Sequence, residues 1–259
     1  MGFANKVVLL SGAGSGIGEA TAIAFAKTSA ILSIFDKNET VHAVGETCKK
    51  YNNKIITSTT DVTSDEDLKG LVEKTVEEFG RIDVLVNCAG SYYSGKITDE
   101  HFMDTNERCM KVNFRSAVLL THLTVPHLIK TKGNIVNVTS VSSKLITPGW
   151  LPYDVSKAAL SRFTACAALD LAADHVRINA VQPGGTQTNL LVNSGYFKAD
   201  DNHKVWKNFA KKTPLGRIIH PEEVADLILY LASEKARSIT GEEFAIDAGL
   251  LAKGYVPQK

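Results

Sequence analysis

Tyr153 and Lys157 stand four residues apart in the stretch Tyr153-Asp154-Val155-Ser156-Lys157. On a helix, that spacing puts both side chains on one face, a turn apart. The chemistry that wants such a pair is proton transfer. A free tyrosine titrates near ~10 and is a poor base at neutral pH. A fixed ammonium nearby favours the phenolate. Lowering the pKa by about three units takes about 4 kcal/mol of differential stabilisation. Lys157 and one further positive charge would supply it together. Ser140 lies thirteen positions upstream of Tyr153, at the end of the apolar run Ile135-Val136-Asn137-Val138-Thr139. A strand end followed by a loop returns its hydroxyl toward Tyr153. There it would hold a carbonyl oxygen while Tyr153 donates or removes the proton.

These groups need a helix under Tyr153 and a strand ahead of Ser140. Pro148-Gly149 and Pro152 precede the pair, and proline is well tolerated at a helix start. Ala158-Ala159-Leu160 follows with high helix propensity. The same logic applies at the N-terminus. Lys6-Val7-Val8-Leu9-Leu10-Ser11 is apolar without alternation, as a central parallel strand is. Gly12-Ala13-Gly14-Ser15-Gly16-Ile17-Gly18 follows at once, then a helical stretch from Glu19 to about Ser29. Strand, glycine turn and helix is the context that gives a glycine motif meaning. The helix N-terminus offers free N–H groups and a positive dipole to a phosphate. Gly12, Ser15, Gly16, Ile17 and Gly18 are therefore expected at a dinucleotide. Its nicotinamide ring is the further positive charge that Tyr153 requires.

Ala30 to Phe35 reads as a second strand that Asp36 ends. A carboxylate at that point can accept from the adenosine ribose hydroxyls. It would repel a 2′-phosphate, although Lys37 beside it softens the discrimination. Residues 38–54 read as a polar helix and loop, and Ile55 to Thr60 as a third strand running into Asp61-Val62. Asp65 to Phe79 has helical spacing, and Gly80 stops it. Val84-Leu85-Val86 is a fourth strand that leads into Asn87-Cys88-Ala89-Gly90. Small residues there let the backbone pass close to a cofactor. One helix is predicted from Thr105 to Leu128, with Asn113 as a polar residue in an apolar series. Asn134 to Ser140 and Val176 to Val181 are the fifth and sixth strands. Pro183-Gly184-Gly185-Thr186-Gln187-Thr188 is a rigid turn after the sixth. Residues 189–213 are polar, with Tyr196, Phe197, Trp206 and Phe209 interspersed. That composition suits a mobile flap over a ligand, at about 186–215. Pro221 starts a last helix, and Gly241 to Asp247 is a seventh strand.

Alternating strands and helices imply an α/β fold with a doubly wound, Rossmann-like, seven-stranded parallel sheet. Ligands in such sheets bind at the carboxyl ends of the strands. The residues singled out above all fall at such ends, or on a helix just beyond one. A chain of 259 residues fits one domain, 1–259. A formal charge of +1 and the lack of a basic stripe argue against nucleic acid. No apolar stretch approaches the ~20 residues of a membrane span. The start Met1-Gly2-Phe3-Ala4-Asn5-Lys6 lacks a signal peptide's layout and does not suit myristoylation. Cys48, Cys88, Cys109 and Cys166 are scattered without metal-ligand spacing. The expectation is a cytoplasmic protein with reduced thiols and no metal.

On these motifs the sequence resembles the short-chain dehydrogenase/reductase family, in its single-domain branch of roughly 250 residues. The likeness runs from about Lys6 to Gly249. Gly12, Gly16 and Gly18 match the family's glycine turn, with Ser11 in place of the usual threonine. Asn87, Ala89 and Gly90 match its Asn-Asn-Ala-Gly, with Cys88 in place of the second asparagine. Asn113, Ser140, Tyr153 and Lys157 match its catalytic tetrad. Pro183, Gly184 and Thr188 match its nicotinamide-side turn, although Gln182 is unusual there. The resemblance implies NAD(P)-dependent interconversion of a secondary alcohol and a ketone. Tyr153 would be the general acid/base. Lys157 would bind the nicotinamide ribose and lower the pKa of Tyr153. Ser140 would hold the substrate oxygen, and Asn113 would anchor a relay water. It also implies a homotetramer. NAD(H) is expected over NADP(H) because of Asp36. The expected substrate is a hydrophobic carbonyl compound (3-oxoacyl or steroid-like) or a small ketone. The alternative is a cofactor-binding scaffold or sensor without catalysis.

Overall fold

The computed structural model describes residues 2–51, 54–195 and 202–252. Its unalternating apolar runs become central strands buried on both faces, with less buried strands at the two edges. These are β1 (Val7–Ser11), β2 (Ile31–Asp36), β3 (Ile55–Thr59), β4 (Val84–Asn87), β5 (Asn134–Val138), β6 (Arg177–Pro183) and β7 (Glu243–Ile246). They form one seven-stranded sheet in the order β3-β2-β1-β4-β5-β6-β7. Every adjacent pair is parallel. The order reverses between β1 and β4, which opens a crevice at their carboxyl ends.

The helices are α1 (Gly16–Ala26), α2 (Thr40–Lys49), α3 (Asp65–Phe79), α4 (Phe102–Met110), α5 (Ser116–Thr131), α6 (Leu151–Leu171), α7 (Leu190–Asn193), α8 (Asn202–Lys212) and α9 (Pro221–Ala232). Side chains alternate across each strand, so two cores form. Val8, Leu10, Leu32 and Ile34 pack under α1, α2 and α9. Leu9, Phe35, Leu85 and Ile135 pack under α3, α5 and α6. Gly80 ends α3 with φ of 73°, and Ser64 caps its start by accepting from the Asp67 N–H. Among the described residues, no helix is long and apolar enough to cross a membrane.

Four readings of the sequence are corrected. The first helix starts at Gly16, not Glu19, because Ser15 is extended (φ −165°) and the chain turns helical directly after it. The single helix expected over Thr105–Leu128 is longer and interrupted: residues Lys111–Arg115 form a π-helical turn between α4 and α5. A π turn holds one residue more than an α turn, and that residue redirects the side chains around it. Pro183 belongs to β6 rather than to the turn after it. The predicted flap contains α7 and α8. Trp206 in α8 is buried, while Tyr196 and Phe197 lie outside the described residues.

One buried polar ladder ties the sheet to α6. Asn87 Nδ2 donates to Asn137 Oδ1 at 2.8 Å, and Asn137 Nδ2 donates to Thr164 Oγ1 at 2.9 Å. Buried polar groups cost little only while paired. Asn137→Ala is therefore expected to cost about 1–3 kcal/mol of stability, by urea unfolding. An unchanged midpoint and slope would show that the ladder contributes nothing.

Candidate active site

A cleft of about 770 Å³ runs along the carboxyl edge of the sheet. One end is built from the glycine turn. Gly12 has φ of 69°, and a Cβ on Gly18 would lie 1.9 Å from the Gly12 carbonyl oxygen. Only glycine permits that close approach of turn and helix. Ser11 Oγ accepts from the N–H groups of Cys88 and Ala89, at 3.0 Å each, and so joins β1 to the residues after β4. The ladder of α1 begins at Glu19 N–H donating to the Ser15 carbonyl. The Ser15 side chain makes no cap hydrogen bond. The N–H groups of Gly16, Ile17 and Gly18 therefore have no partner within the helix and line the cleft. Such a terminus attracts an anion.

Asp36 is pinned at the same end. Its Oδ2 accepts from the Gly14 N–H at 3.1 Å. Its Oδ1 accepts from the Asn38 N–H at 2.9 Å and the Asn38 amide at 3.1 Å. Lys37, Asp61 and Val62 line the wall beside it. Free helix N–H groups and, within one cleft, a fixed carboxylate fit a dinucleotide's pyrophosphate and its adenosine ribose. Ala89, Gly90, Pro183, Gly184 and Thr186 line the cleft toward its other end, and Thr188 stands beside Gly16. Asn87 does not: its side chain turns into the sheet, toward Asn137 and Thr121. Strand alternation decides that outcome, since Asn87 is the last residue of β4 and faces α5.

At the far end, Ser140, Tyr153 and Lys157 meet. Tyr153 sits in the first turn of α6 and is 7% exposed. The Ser140 side chain acts on its phenol and favours ionisation, and the Ser140 Oγ accepts from the Ser142 N–H at 3.2 Å. Lys157 is buried, and its Nζ donates to the Val138 carbonyl at 2.9 Å. That Nζ lies 5.9 Å from the Tyr153 ring centroid. Asn113 stands behind the cleft. Its Oδ1 accepts from the Ser91 N–H at 2.8 Å. Its Nδ2 donates to the Ser91 carbonyl at 2.9 Å and to Ser156 Oγ at 3.1 Å. The π turn at Lys111–Arg115 delivers this side chain inward. A Cβ on Gly90 would stand 3.4 Å from both Asn113 Oδ1 and Lys157 Nζ.

The chain's own groups set the electrostatics that a bound charge would meet. Burial pushes the Tyr153 phenol up to about 12, and the Ser140 side chain only partly opposes it. Burial pushes the Lys157 ammonium down to about 8. The protein's own groups thus leave the phenol neutral, because desolvation outweighs the influence of Ser140. A phenolate needs the further positive charge.

Sequence reasoning missed the aromatic wall around Tyr153. Tyr92 and Trp150 meet edge to face at 4.7 Å between ring centroids, and each packs on Tyr153, at 5.5 Å and 6.1 Å. Leu145, Leu190, Leu191 and Phe209 extend this apolar lining. The available signal was position: Tyr92 follows the Asn-Cys-Ala-Gly turn closely, and Trp150 opens α6.

A family described as enoyl-(acyl carrier protein) reductase matches residues 12–251. The 3-oxoacyl-[acyl-carrier-protein] reductase FabG of Thermotoga maritima is 35% identical over 248 residues, covering 95% of this chain and 98% of that protein. The meso-2,3-butanediol dehydrogenase of Serratia marcescens is also 35% identical, over 259 residues, covering 100% of this chain and 99% of that protein. Among solved structures, a short-chain dehydrogenase/reductase of unknown function from Caenorhabditis elegans, solved with cofactor, superimposes with a TM-score of 0.90. It is 31% identical, and the match covers 96% of each chain.

The buried lysine makes a thermodynamic prediction. The Lys157 pKa is lower in the folded chain (about 8) than the ordinary lysine value of 10.5 that holds in the unfolded chain. The unfolded chain therefore binds more protons between those values, and stability rises with pH across that window. Below about 8 the whole burial penalty is present. Lys157→Met is expected to stabilise the protein alone at pH 7 by about 1–3 kcal/mol and to flatten this rise. Urea unfolding at pH 7 and pH 9.5 checks it. A variant less stable than the parent at pH 7 would count against a net penalty.

Proposed function

The chain belongs to the short-chain dehydrogenase/reductase family, and from that premise we propose an NAD(H)-dependent enzyme that interconverts a hydrophobic ketone and its secondary alcohol. As a member of that family it is an oxidoreductase of the alcohol–ketone class, so the scaffold alternative falls away. The observation that carries the finer reading is the meeting of Ser140, Tyr153 and Lys157 in the one cleft that also holds the α1 N-terminus and Asp36.

The dinucleotide, when bound, supplies or accepts the hydride. The residues of the chain handle orientation and the proton. Gly12 to Gly18 and Thr188 hold the phosphates, and Asp36 accepts from the adenosine ribose. Gly90, Pro183, Gly184 and Thr186 shape the nicotinamide side. Lys157 presents its ammonium toward the neighbouring ribose. Ser140 donates to the substrate oxygen, and Tyr153 transfers the proton to or from it. A neutral phenol suits proton donation to a ketone. Oxidation requires the phenolate, so it should be favoured at high pH. Asn113 keeps the backbone at Ser91 in place beside Lys157, where a relay water would sit. The aromatic wall of Tyr92 and Trp150 favours a flat or apolar carbonyl compound. FabG by its name handles 3-oxoacyl groups, and the butanediol enzyme a small diol. A 3-oxoacyl, steroid-like or small-ketone substrate suits this wall.

We place the enzyme in the cytoplasm, where four free cysteines stay reduced. A homotetramer would cover the outer face of α6, on which Leu151, Val155 and Leu169 are exposed.

Two experiments test this reading. Tyr153→Phe removes one hydroxyl and is expected to keep NADH binding while losing at least about 99% of kcat. More than a tenth of the parent's turnover, on a panel of ketones and alcohols, would remove Tyr153 as the acid/base. The second concerns cofactor choice. Near a surface, unit charges about 4 Å apart interact by roughly 4 kcal/mol at an effective dielectric of ~20. Solvent and Lys37 reduce this, leaving NAD(H) favoured by about 1–3 kcal/mol, or roughly ten- to hundredfold in kcat/KM. Asp36→Ala should narrow or reverse that ratio. A parent enzyme that prefers NADPH would show that Lys37 outweighs Asp36.

A further inference from the structure

The Ser140 loop is gripped by a ring of side chains remote from the cleft chemistry. Glu243, in β7, is its hub. Glu243 Oε1 accepts from Thr139 Oγ1 at 2.7 Å and from Ser143 Oγ at 3.4 Å. Its Oε2 accepts from Ser161 Oγ at 2.9 Å and pairs with Lys144 Nζ at 3.4 Å. Gln182, fully buried in β6, closes the ring. Its Nε2 donates to Ser143 Oγ at 2.5 Å, and its Oε1 accepts from Lys144 Nζ at 3.3 Å.

The ring therefore holds the residue before Ser140 and two residues shortly after it. It joins them to β7, to α6 four residues past Lys157, and to the residue before Pro183-Gly184. The Ser140 hydroxyl has one backbone anchor, the Ser142 N–H, and its carbonyl accepts from the Ser143 N–H at 2.9 Å. A serine on a short turn has freedom that a strand residue lacks. Charge-assisted hydrogen bonds to one carboxylate remove that freedom more strongly than neutral ones do. The glutamine that departs from the family pattern thus has a physical use.

We infer that Glu243, with Gln182, is the positioning residue for Ser140: it sets the serine hydroxyl against Tyr153 and against the Pro183-Gly184 turn. This rests on the role proposed above for Ser140. A reacting oxygen displaced by about 1 Å costs as much as about a hundredfold in rate. The carboxylate does not touch the cleft end that holds the adenosine. Its loss should act on kcat and spare cofactor binding.

The test is Glu243→Ala and Glu243→Gln, measured for kcat with the best ketone of the panel and for NADH affinity by NADH fluorescence. Glu243→Ala is expected to lower kcat about tenfold or more while the NADH Kd stays within about twofold. Glu243→Gln keeps one acceptor oxygen and should restore kcat to within about threefold of the parent. A Glu243→Ala kcat within about twofold of the parent overturns the inference, as does a kcat loss matched by an equal loss of NADH affinity. Should Glu243→Ala fail to fold, Ser143→Ala removes the hydroxyl shared by Glu243 and Gln182. The same split is expected of it, and an unchanged kcat overturns the inference. Ser140→Ala, run alongside, separates the two readings. Undiminished turnover in Ser140→Ala overturns the role of Ser140 itself. Its loss, with Glu243→Ala intact, overturns only the role of Glu243.

Discussion

An ammonium buried against the end of a strand is the constraint on which this site depends. Lys157 is 4% exposed, and its hydrogen-bond partner is a neutral carbonyl, that of Val138. Taking a charge out of water costs several kcal/mol unless it is paired. A carbonyl dipole offsets only part of that, which is why the lysine loses protons near 8. The geometry around it follows. α6 must cross the end of β5 closely enough for Nζ to reach Val138. Gly90 passes close beside it, since a Cβ there would stand 3.4 Å from Nζ. The neighbouring phenol shares the same desolvation and is held neutral. A site with this much unspent electrostatic potential is prepared for a polar, charged ligand, and the proposed dinucleotide is one.

Two sets of polar contacts hold α6 where Lys157 needs it. On the sheet side, Asn87, Asn137 and Thr164 run from β4 through β5 into the helix. On the cleft side, Asn113 joins Ser91 to Ser156, which lies beside Lys157 in the same helix. The π turn belongs to this second set. A regular helix through Lys111–Arg115 would carry Asn113 round its axis by a different angle. The extra residue turns the carboxamide toward the Ser91 backbone, where both of its ends are satisfied. An Asn inside an apolar helical series is thereby explained: it is buried because it is fully paired.

Much of this was legible in the sequence because it is local. Unalternating apolar runs mark parallel strands whatever surrounds them. The glycines of Gly12–Gly18 report a turn that must pass close to the next helix. Four-residue spacing puts Tyr153 and Lys157 on one face of any helix. Asp36 falls at a strand end by its place in the chain. These features place the cleft at the carboxyl edge, and they bring Ser140, Tyr153 and Lys157 to it.

Only the tertiary structure decided the rest, and the reason is distance along the chain. Asn87 and Ala89 stand two residues apart, yet only Ala89 faces the cleft, because β4 ends at Asn87, whose side chain bonds toward α5, and the chain turns after it. Tyr92 and Trp150 carry no motif; they meet where the segment after β4 pairs with the residue before α6, Gly95 against Trp150. The ring of Glu243, Gln182, Ser143 and Lys144 joins three segments that the sequence separates widely. The ionisation of Tyr153 is the clearest case. Spacing placed an ammonium near it, and the lowered pKa was expected only with the nicotinamide's further charge. Burial, a property of the packed chain and not of any stretch within it, decides that the chain alone holds the phenol neutral.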